Sequence, residues 1–264
     1  MEVETLNDQN TVKEAFKKLI TAFSYIYSIL ICVLLWELLA RTRFVPYYFL
    51  PPISDIARFS YFALLDGTLL QHTGITLYRA LTGYTFSILI GIPIGIFMSM
   101  SRAFNWFFDP IVAILLPVPP LTLVPIFILW FGIGHEAKIM LVIISCVSIV
   151  IASTYNGAKS VNPFFIWSAR IMGTPKRKIL WKIIMPASLP YIFNGMQVAL
   201  PISIIAAFVF EMISGGSGLG FLESYAARFF EAPQLFSALF ATAIIGLALD
   251  RLLSKLRSLF LKWY

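Results

Sequence analysis

The sequence predicts an all-α membrane protein with about six transmembrane helices, and two observations support this fold class. First, 59% of the 264 residues are hydrophobic and only 12% are charged, whereas a soluble domain is nearer half apolar and a quarter charged. Second, six stretches of about 18 residues or more contain no Asp, Glu, Lys or Arg, and roughly 20 apolar residues in a helix cross a bilayer core. These observations exclude a water-soluble globule, a disordered chain and a coiled coil.

The charge-free stretches place the spans in order along a single transmembrane domain, residues 1–264. The predicted spans are residues 19–40, 80–101, 110–135, 139–158, 188–213 and 232–249. No small-residue cleavage pattern follows the first of them, so we expect a retained membrane helix rather than a cleaved signal. In the second span, Gly91 and Gly95 form a G-x-x-x-G motif. This motif predicts close helix packing within the chain, and a contact between two copies is the other interpretation.

The distribution of basic residues predicts the orientation. An even number of spans leaves both termini on one side of the membrane. If that side is the cytoplasm, 14 of the 20 Lys and Arg residues lie inside, as the positive-inside rule requires. Residues 1–18, the loop 159–186 and the tail 250–264 are therefore predicted to be cytoplasmic in a multi-pass protein of the cell membrane. This bias explains the net charge of +7 without any nucleic acid.

The third predicted span is dense in proline. Pro117, Pro119 and Pro120 each remove a helix hydrogen bond and crowd the preceding turn. In lipid, the freed carbonyl groups must be satisfied by protein or water. We therefore expect a broken or kinked segment that either lines an aqueous path or only packs against its neighbours. Trp130 lies near the end of the same span. Like the three prolines, it is a candidate to line the translocation path or its outer mouth.

The fifth predicted span carries three polar candidates for the path. Asn194 and Gln197 are three residues apart and share a helix face. They contact either solute or a neighbouring helix, and a helix contact is favoured. Glu211 lies roughly 34 Å along a straight helix from Ser188, which places it near the outer end. It either contacts a partner or lines the outer mouth, or it is an interfacial carboxylate in water.

The loop 159–186 carries six basic residues and no acidic one. Its pattern predicts a short helix that starts near Pro163 and is stopped by Gly173 and Pro175. Large apolar side chains, including Trp167, lie in this helix on the water side of the membrane. Such a surface meets either a partner protein or the face of the bilayer, and composition alone leaves both open.

The residues of this loop carry a family resemblance. The loop resembles the signature cytoplasmic loop of binding-protein-dependent ABC transporter permeases, which reads E-A-A-x-x-x-G, nine residues, then I-x-L-P. Ala169, Gly173, Ile183 and Pro186 match this pattern at the family's spacing. Trp167 stands in the position of the glutamate, and Ser168 and Met185 replace the first alanine and the leucine. Five further motifs resemble the nitrate/sulfonate/taurine branch of this family: Asp66–Leu69, Leu115–Leu121, Leu129–Gly134, Glu211–Ile213 and Ser217–Gly220.

The resemblance implies the permease subunit of an ATP-driven importer with the type I fold. It implies alternating access for a small anion such as a sulfonate, nitrate or bicarbonate. Implied partners are cytosolic ATPase subunits that hold ATP and Mg²⁺, a second permease subunit (identical or different) and an extracytoplasmic solute-binding protein. This chain is expected to be no enzyme and to bind no cofactor or metal. The candidate residues for ATPase coupling are Phe164, Trp167, Ser168, Ala169, Arg170, Gly173 and Pro186.

Two other function classes make different demands on the sequence. An ion-coupled secondary transporter would show duplicated halves with paired broken helices and ionisable groups near the midplane, and no such duplication is visible. An intramembrane enzyme would need a nucleophile–base pair or metal ligands within the spans, which the sequence lacks. The Gly215–Gly220 run lacks the G-K-[ST] ending of a phosphate loop, so any ATP must bind to another chain.

Overall fold

The structure, a computed structural model, describes residues 27–261, and this part of the chain contains helices and no strand. The helices follow one another with short connections. In chain order they are α1 (27–41), α2 (Ile53–Leu65), α3 (Thr68–Met100), α4 (Arg102–Leu115), α5 (Pro120–Phe131), α6 (His135–Lys159), α7 (Pro163–Ile171), α8 (Lys176–Ile179), α9 (Met185–Ser214), α10 (Leu219–Arg228) and α11 (Ala232–Phe260). A single π-helical turn, Leu180–Ile184, joins α8 to α9.

Four helices of the described chain are long and apolar enough to cross a membrane, and a bent pair of helices gives a fifth crossing if the pair forms one span. The four are α3, α6, the continuous stretch Lys176–Ser214 and α11, while α4 and α5 together form a pair bent by 105°. These elements coincide with five of the six predicted spans. The remaining prediction, 19–40, lies partly outside the described residues, and its described part belongs to α1.

The core of the bundle is α6, which packs between α3 and α9. Glycines allow the close approach. Gly91 faces Val150, and Gly95 faces Thr154, so near that an added methyl group would have to displace its neighbour. The G-x-x-x-G motif therefore packs within the chain, as predicted, because small residues let helix backbones approach in a membrane.

Two helices extend by about ten residues beyond the spans that were predicted for them. Helix α3 starts at Thr68 rather than near residue 80. Its first turn is fixed by Asp66, whose Oδ1 accepts from the Thr68 N–H at 2.8 Å. Helix α11 continues to Phe260, beyond the predicted end at residue 249. In both helices the extension carries an arginine that is hydrogen-bonded to α9: buried Arg79 in α3 bonds to Glu211, and half-buried Arg257 in α11 bonds to Gln197.

Candidate functional site

The segment with the loop signature forms helix α7, and its start is fixed by local backbone chemistry. The Asn162 side chain caps the helix, because its Oδ1 accepts from the Phe164 N–H at 3.0 Å. Pro163 occupies the first helical position, where its missing N–H costs nothing and its fixed φ suits the helix. The predicted start near Pro163 is confirmed.

The end of α7 depends on a glycine. Gly173 has φ +75°, a conformation that is strained for any residue with a Cβ. Its N–H donates to the Arg170 carbonyl at 2.9 Å, and the Thr174 N–H donates to the Ala169 carbonyl at 3.0 Å. This pair of bonds is a Schellman motif, which satisfies carbonyls left over at the helix end. Gly173 therefore stops α7, as the sequence predicted.

Helix α7 has one side against the bundle and the other side in the open. Ile166 and Ala169 pack against the ends of the long helices, in a cluster with Ile96, Ala158, Ile179 and Ile184. On the far side, Phe164, Trp167 and Ile171 are 67%, 53% and 87% exposed. The rings of Phe164 and Trp167 meet edge to face with centroids 5.3 Å apart. One side of α7 thus packs on the bundle, and the other side carries an exposed apolar stripe that consists of Phe164, Trp167 and Ile171.

Pro186 and Ser168 lie beside this stripe, where an open groove of about 450 Å³ runs between α7 and the start of α9. The π turn before Pro186 is held by the Met185 N–H, which donates to the Leu180 carbonyl. A proline removes one helix donor and crowds the preceding turn, and the wider turn relieves that crowding. Pro186 therefore shapes the wall of the groove.

The cations around α7 have no acidic partner nearby. The sequence contains no Asp or Glu between Glu136 and Glu211. Among the described residues, the ion pairs are Arg41–Glu37 and Arg79–Glu211, so none of the six loop cations is paired. Arg170 and Lys176 line a crevice of about 190 Å³ between α7, α8 and the end of α3.

The proline-dense segment is broken where the sequence predicted it. Helix α4 ends before Pro117, and α5 begins at Pro120, with Pro119 in an extended conformation between them. The two helices are bent by 105°. Pro117 and Pro119 are exposed in the single chain, and Trp130 on α5 is 68% exposed. Whether these four residues line a solute path stays a prediction.

Glu211 lies in the interior, so the expectations of a partner contact and of a carboxylate in water do not hold in this structure, and a role at the outer mouth stays a prediction. Its side chain has no exposed surface, so it is neither an interfacial carboxylate in water nor a contact for a docking partner in this conformation. Oε1 accepts from Arg79 Nη1 at 2.6 Å, and Oε2 accepts from the Thr76 hydroxyl at 2.8 Å. The Gly220 N–H donates to Oε2 at 3.2 Å. The carboxylate is buried because its neighbours satisfy it.

Arg79 is the residue that sequence reasoning missed. It is 2% exposed, and besides Glu211 it holds the loop after α9. Nη1 donates to the Ser217 carbonyl at 2.7 Å, and Nη2 donates to the Ser217 hydroxyl at 2.9 Å. A signal was present, because His72, Thr76 and Arg79 are spaced four and three residues apart and share one helix face. Counting Arg79 as a loop residue hid that pattern.

The loop 214–220 is hydrogen-bonded to α3 and packs closely against α9. The Leu219 N–H donates to the Thr76 hydroxyl at 2.8 Å, and the Gly218 N–H donates to His72 Nδ1 at 3.0 Å. A Cβ on Gly218 would overlap the Glu211 carboxyl group, and a Cβ on Gly220 would overlap a backbone carbonyl of α9. We call Arg79, Glu211, Thr76 and the loop 214–220 the buried ionic cluster.

Asn194 and Gln197 do not act together. Gln197 Oε1 accepts from Arg257 Nη1 at 2.7 Å, and its amide donates to the Ser254 hydroxyl at 3.0 Å. Gln197 therefore joins α9 to α11, as the favoured interpretation expected. Asn194 is exposed on the same helix and remains a candidate for contact with solute.

Comparison with known proteins places this geometry in a family. Residues 87–259 match the family described as "Binding-protein-dependent transport system inner membrane component". The taurine transport system permease protein TauC of Escherichia coli (strain K12) is 30% identical over 234 residues, which cover 87% of this chain and 85% of TauC. The putative aliphatic sulfonates transport permease protein SsuC of Bacillus subtilis (strain 168) is 29% identical over 234 residues, covering 88% of this chain and 84% of SsuC.

The fold agrees with the sequence relatives. An inward-facing structure of the MetNI methionine ABC transporter superposes with a TM-score of 0.65 at 18% identity, covering 73% of this chain and 95% of the other. This likeness confirms the predicted fold, that of a type I ABC importer permease. With the family match, the chain belongs to the binding-protein-dependent transport system inner membrane components.

Proposed function

We propose that this permease subunit imports a small anion using energy from ATP hydrolysed by separate cytosolic ATPase subunits. The observation that carries the proposal is α7. This capped helix packs on the bundle through Ile166 and Ala169. Its other side exposes Phe164, Trp167 and Ile171 to solvent. An apolar surface of this kind marks a site that meets a protein or a membrane, and the resemblance of the loop to the family's signature favours an ATPase.

The route for the energy follows the chain from α7 into the bundle. The loop leads directly into the continuous helix Lys176–Ser214 of 39 residues, about 58 Å long at 1.5 Å per residue. ATP and Mg²⁺ would bind on the ATPases, bring them together and displace α7. Because α7 is packed on the helix ends, its displacement would rotate the spans as rigid bodies. The path would then open alternately to the two sides.

The solute-binding protein and the second permease subunit are assigned to other surfaces of the bundle than the ATPase. The α7 end is assigned to the cytoplasm with both termini, and the end with the buried ionic cluster is assigned to a solute-binding protein. Helix α5 presents Leu121, Leu129 and Trp130 as exposed apolar side chains. A second permease subunit would cover part of this flank, and lipid would cover the rest.

The nature of the solute is supported by charge and by the relatives. Arg79 neutralises Glu211, so the charge of this one carboxylate does not oppose an anion. The relatives named above are described as permeases for taurine and aliphatic sulfonates, and a sulfonate is therefore the first anion to test. Nitrate and bicarbonate are the other two. No specific observation favours the ion-coupled transporter.

Uptake into proteoliposomes tests this function. The chain is reconstituted with its second permease subunit, its ATPase and its binding protein, and labelled taurine, nitrate or bicarbonate is supplied outside. We expect uptake of at least one of the three, and only when the ATPase and enclosed ATP are both present. Uptake driven by an ion gradient without the ATPase would contradict the proposal.

A further inference from the structure

The exposed stripe of α7 is aromatic at the position where the family signature has an acid. Trp167 replaces the glutamate, and its ring lies against Phe164, one helical turn away. Together with Ile171 these side chains form a continuous apolar surface that nothing in the described chain covers. Aromatic residues of this kind anchor protein interfaces when a partner pocket receives them. The stripe therefore has the composition of a residue cluster that anchors a protein interface.

The surroundings of the stripe carry positive charge only. Arg170, Lys176, Arg177, Lys178 and Lys182 are all exposed. No carboxylate of the described chain pairs with them. A surface with one sign of charge recognises a partner surface with the other sign, and the charge accelerates and orients their encounter. The complementary partner surface is therefore acidic.

The orientation of α7 favours a protein partner over the bilayer. A helix that lies on a membrane turns its apolar side toward the lipid. The side of α7 that faces the bundle, with Ile166 and Ala169, is already occupied by protein packing. The stripe lies roughly 160° around the helix from that side, at 100° per residue. It points away from the helix ends on which α7 packs, so the packing of α7 does not bring the stripe against the part of the chain that crosses the membrane.

We infer, resting on the proposed function, that the ATPase partner of this chain receives α7 in an apolar socket with carboxylates at its rim. Trp167 is the anchor in that socket, in place of the ionic contact that a glutamate would make. Arg170 and Lys176 meet the acidic rim. A partner surface of this kind differs in charge from one built to bind an acidic α7, and it would make the pairing of permease and ATPase selective.

Binding measurements on a Trp167 series test the anchor. The probe is the ABC ATPase subunit that co-purifies with the tagged wild-type chain, produced by itself and titrated against the chain in nanodiscs. We expect Trp167→Ala to raise Kd about 10-fold or more and Trp167→Phe to change it less than about 3-fold. Trp167→Glu should raise Kd furthest, because it places a carboxylate against acidic groups. Trp181→Ala is the matched control, because Trp181 is equally exposed at 59% but lies in the π turn, outside α7.

A charge series tests the rim. Raising the salt concentration should weaken binding of the wild-type chain, since salt screens exposed charges. The double substitution Arg170→Glu, Lys176→Glu should weaken binding about 10-fold or more at low salt and should reduce or reverse the salt dependence. Arg102→Glu is the matched control, because Arg102 is an exposed cation on α4 outside the loop.

The outcomes separate this inference from the function on which it rests. If Trp167→Glu binds as well as the wild type or better, the aromatic anchor is overturned while the transport function stands. If binding does not respond to salt or to charge reversal, the acidic rim is overturned. If the wild-type chain co-purifies with no ABC ATPase, the proposed function fails together with the inference.

Discussion

The two ends of the bundle treat charge in opposite ways. At the end with the buried ionic cluster, Arg79 and Glu211 are 2% and 0% exposed and hold each other at 2.6 Å. At the α7 end, Arg170 and Lys176 are exposed, and none of the described carboxylates pairs with them. A buried charge persists only when it is paired and hydrogen-bonded. The buried ionic cluster is therefore satisfied within one chain, whereas the cations beside α7 have no partner carboxylate among the described residues.

The difference teaches where a substitution acts. Changes in the buried ionic cluster remove partners from groups that water cannot reach, so they act on the stability of the chain. Nothing in the described chain covers the exposed stripe of α7. We therefore expect changes on this stripe to leave the stability of the chain unaltered and to act on assembly and transport. Four predictions test this contrast, from the largest expected effect to the smallest.

The largest effect is expected from breaking the buried ion pair. Arg79→Met leaves the Glu211 carboxylate buried without its cation and should lower the free energy of unfolding by about 3–5 kcal/mol. The double substitution Arg79→Met, Glu211→Leu should recover part of that loss, because neither charge remains. Detergent-denaturation curves measure both. Arg41→Ala, in the exposed pair with Glu37, is the control and should have no measurable effect.

The next effect is expected at the glycines of the loop after α9. Gly220→Ala places a methyl group against a backbone carbonyl of α9, which cannot move aside cheaply. We expect a loss of about 1–3 kcal/mol in the free energy of unfolding. Gly74→Ala is the matched control: no atom lies within 4 Å of its added Cβ, and alanine suits a helix better than glycine. Equal stability of the two variants would contradict the close packing of this loop.

A smaller effect on stability, with a clear effect on transport, is expected at the end of α7. Gly173→Ala keeps the side chain small but strains a residue with φ +75°, at a cost of about 1–2 kcal/mol. Because the Schellman motif ends the helix that bears the exposed stripe, we expect ATP-driven uptake to fall several-fold while membrane insertion stays normal. Uptake at the wild-type level would show that α7 tolerates a different ending.

The smallest effect is expected on α10, at Glu223. Its Oε2 is buried without a hydrogen-bond partner in the described chain, and this burial raises the pKa of the carboxyl above its usual value. The folded state therefore disfavours the charged form, so stability falls as the pH rises through the pKa of the unfolded chain toward that of the folded chain. Glu223→Gln should slightly raise the melting temperature at about pH 7, and the gain should disappear at about pH 4. A gain that is the same at both pH values would rule out the charge as its cause.

The sequence was informative wherever the cause of structure is local. Gly173 ends α7 and Pro163 starts it because of backbone preferences that operate within a few residues. Pro117–Pro120 break the third span for the same kind of reason. Five of the six predicted spans coincide with long apolar helices or with the bent pair of α4 and α5, because the apolar stretches that a bilayer requires are visible in the sequence.

The sequence was uninformative where structure depends on distant residues. Arg79 and Glu211 are 132 positions apart, and although the spacing of His72, Thr76 and Arg79 indicates a polar helix face, it does not indicate Glu211 as the partner. Without the pair, Arg79 reads as the end of a loop and Glu211 as a carboxylate in water. Asn194 and Gln197 share a helix face, yet only Gln197 contacts α11. Asn194 lies outside the surface over which α9 packs against α11 and is exposed.

Accessibility of α7 tests most directly whether an ATPase in the cytoplasm drives this permease. Cys32 and Cys146 are replaced, and Ile171→Cys supplies one thiol at a position that is 87% exposed. We predict that a membrane-impermeant maleimide leaves this thiol unlabelled in intact cells and labels it in inverted vesicles. Added ATPase should protect it there. Labelling in intact cells would place α7 on the outer side of the membrane, where no cytosolic ATPase could reach it.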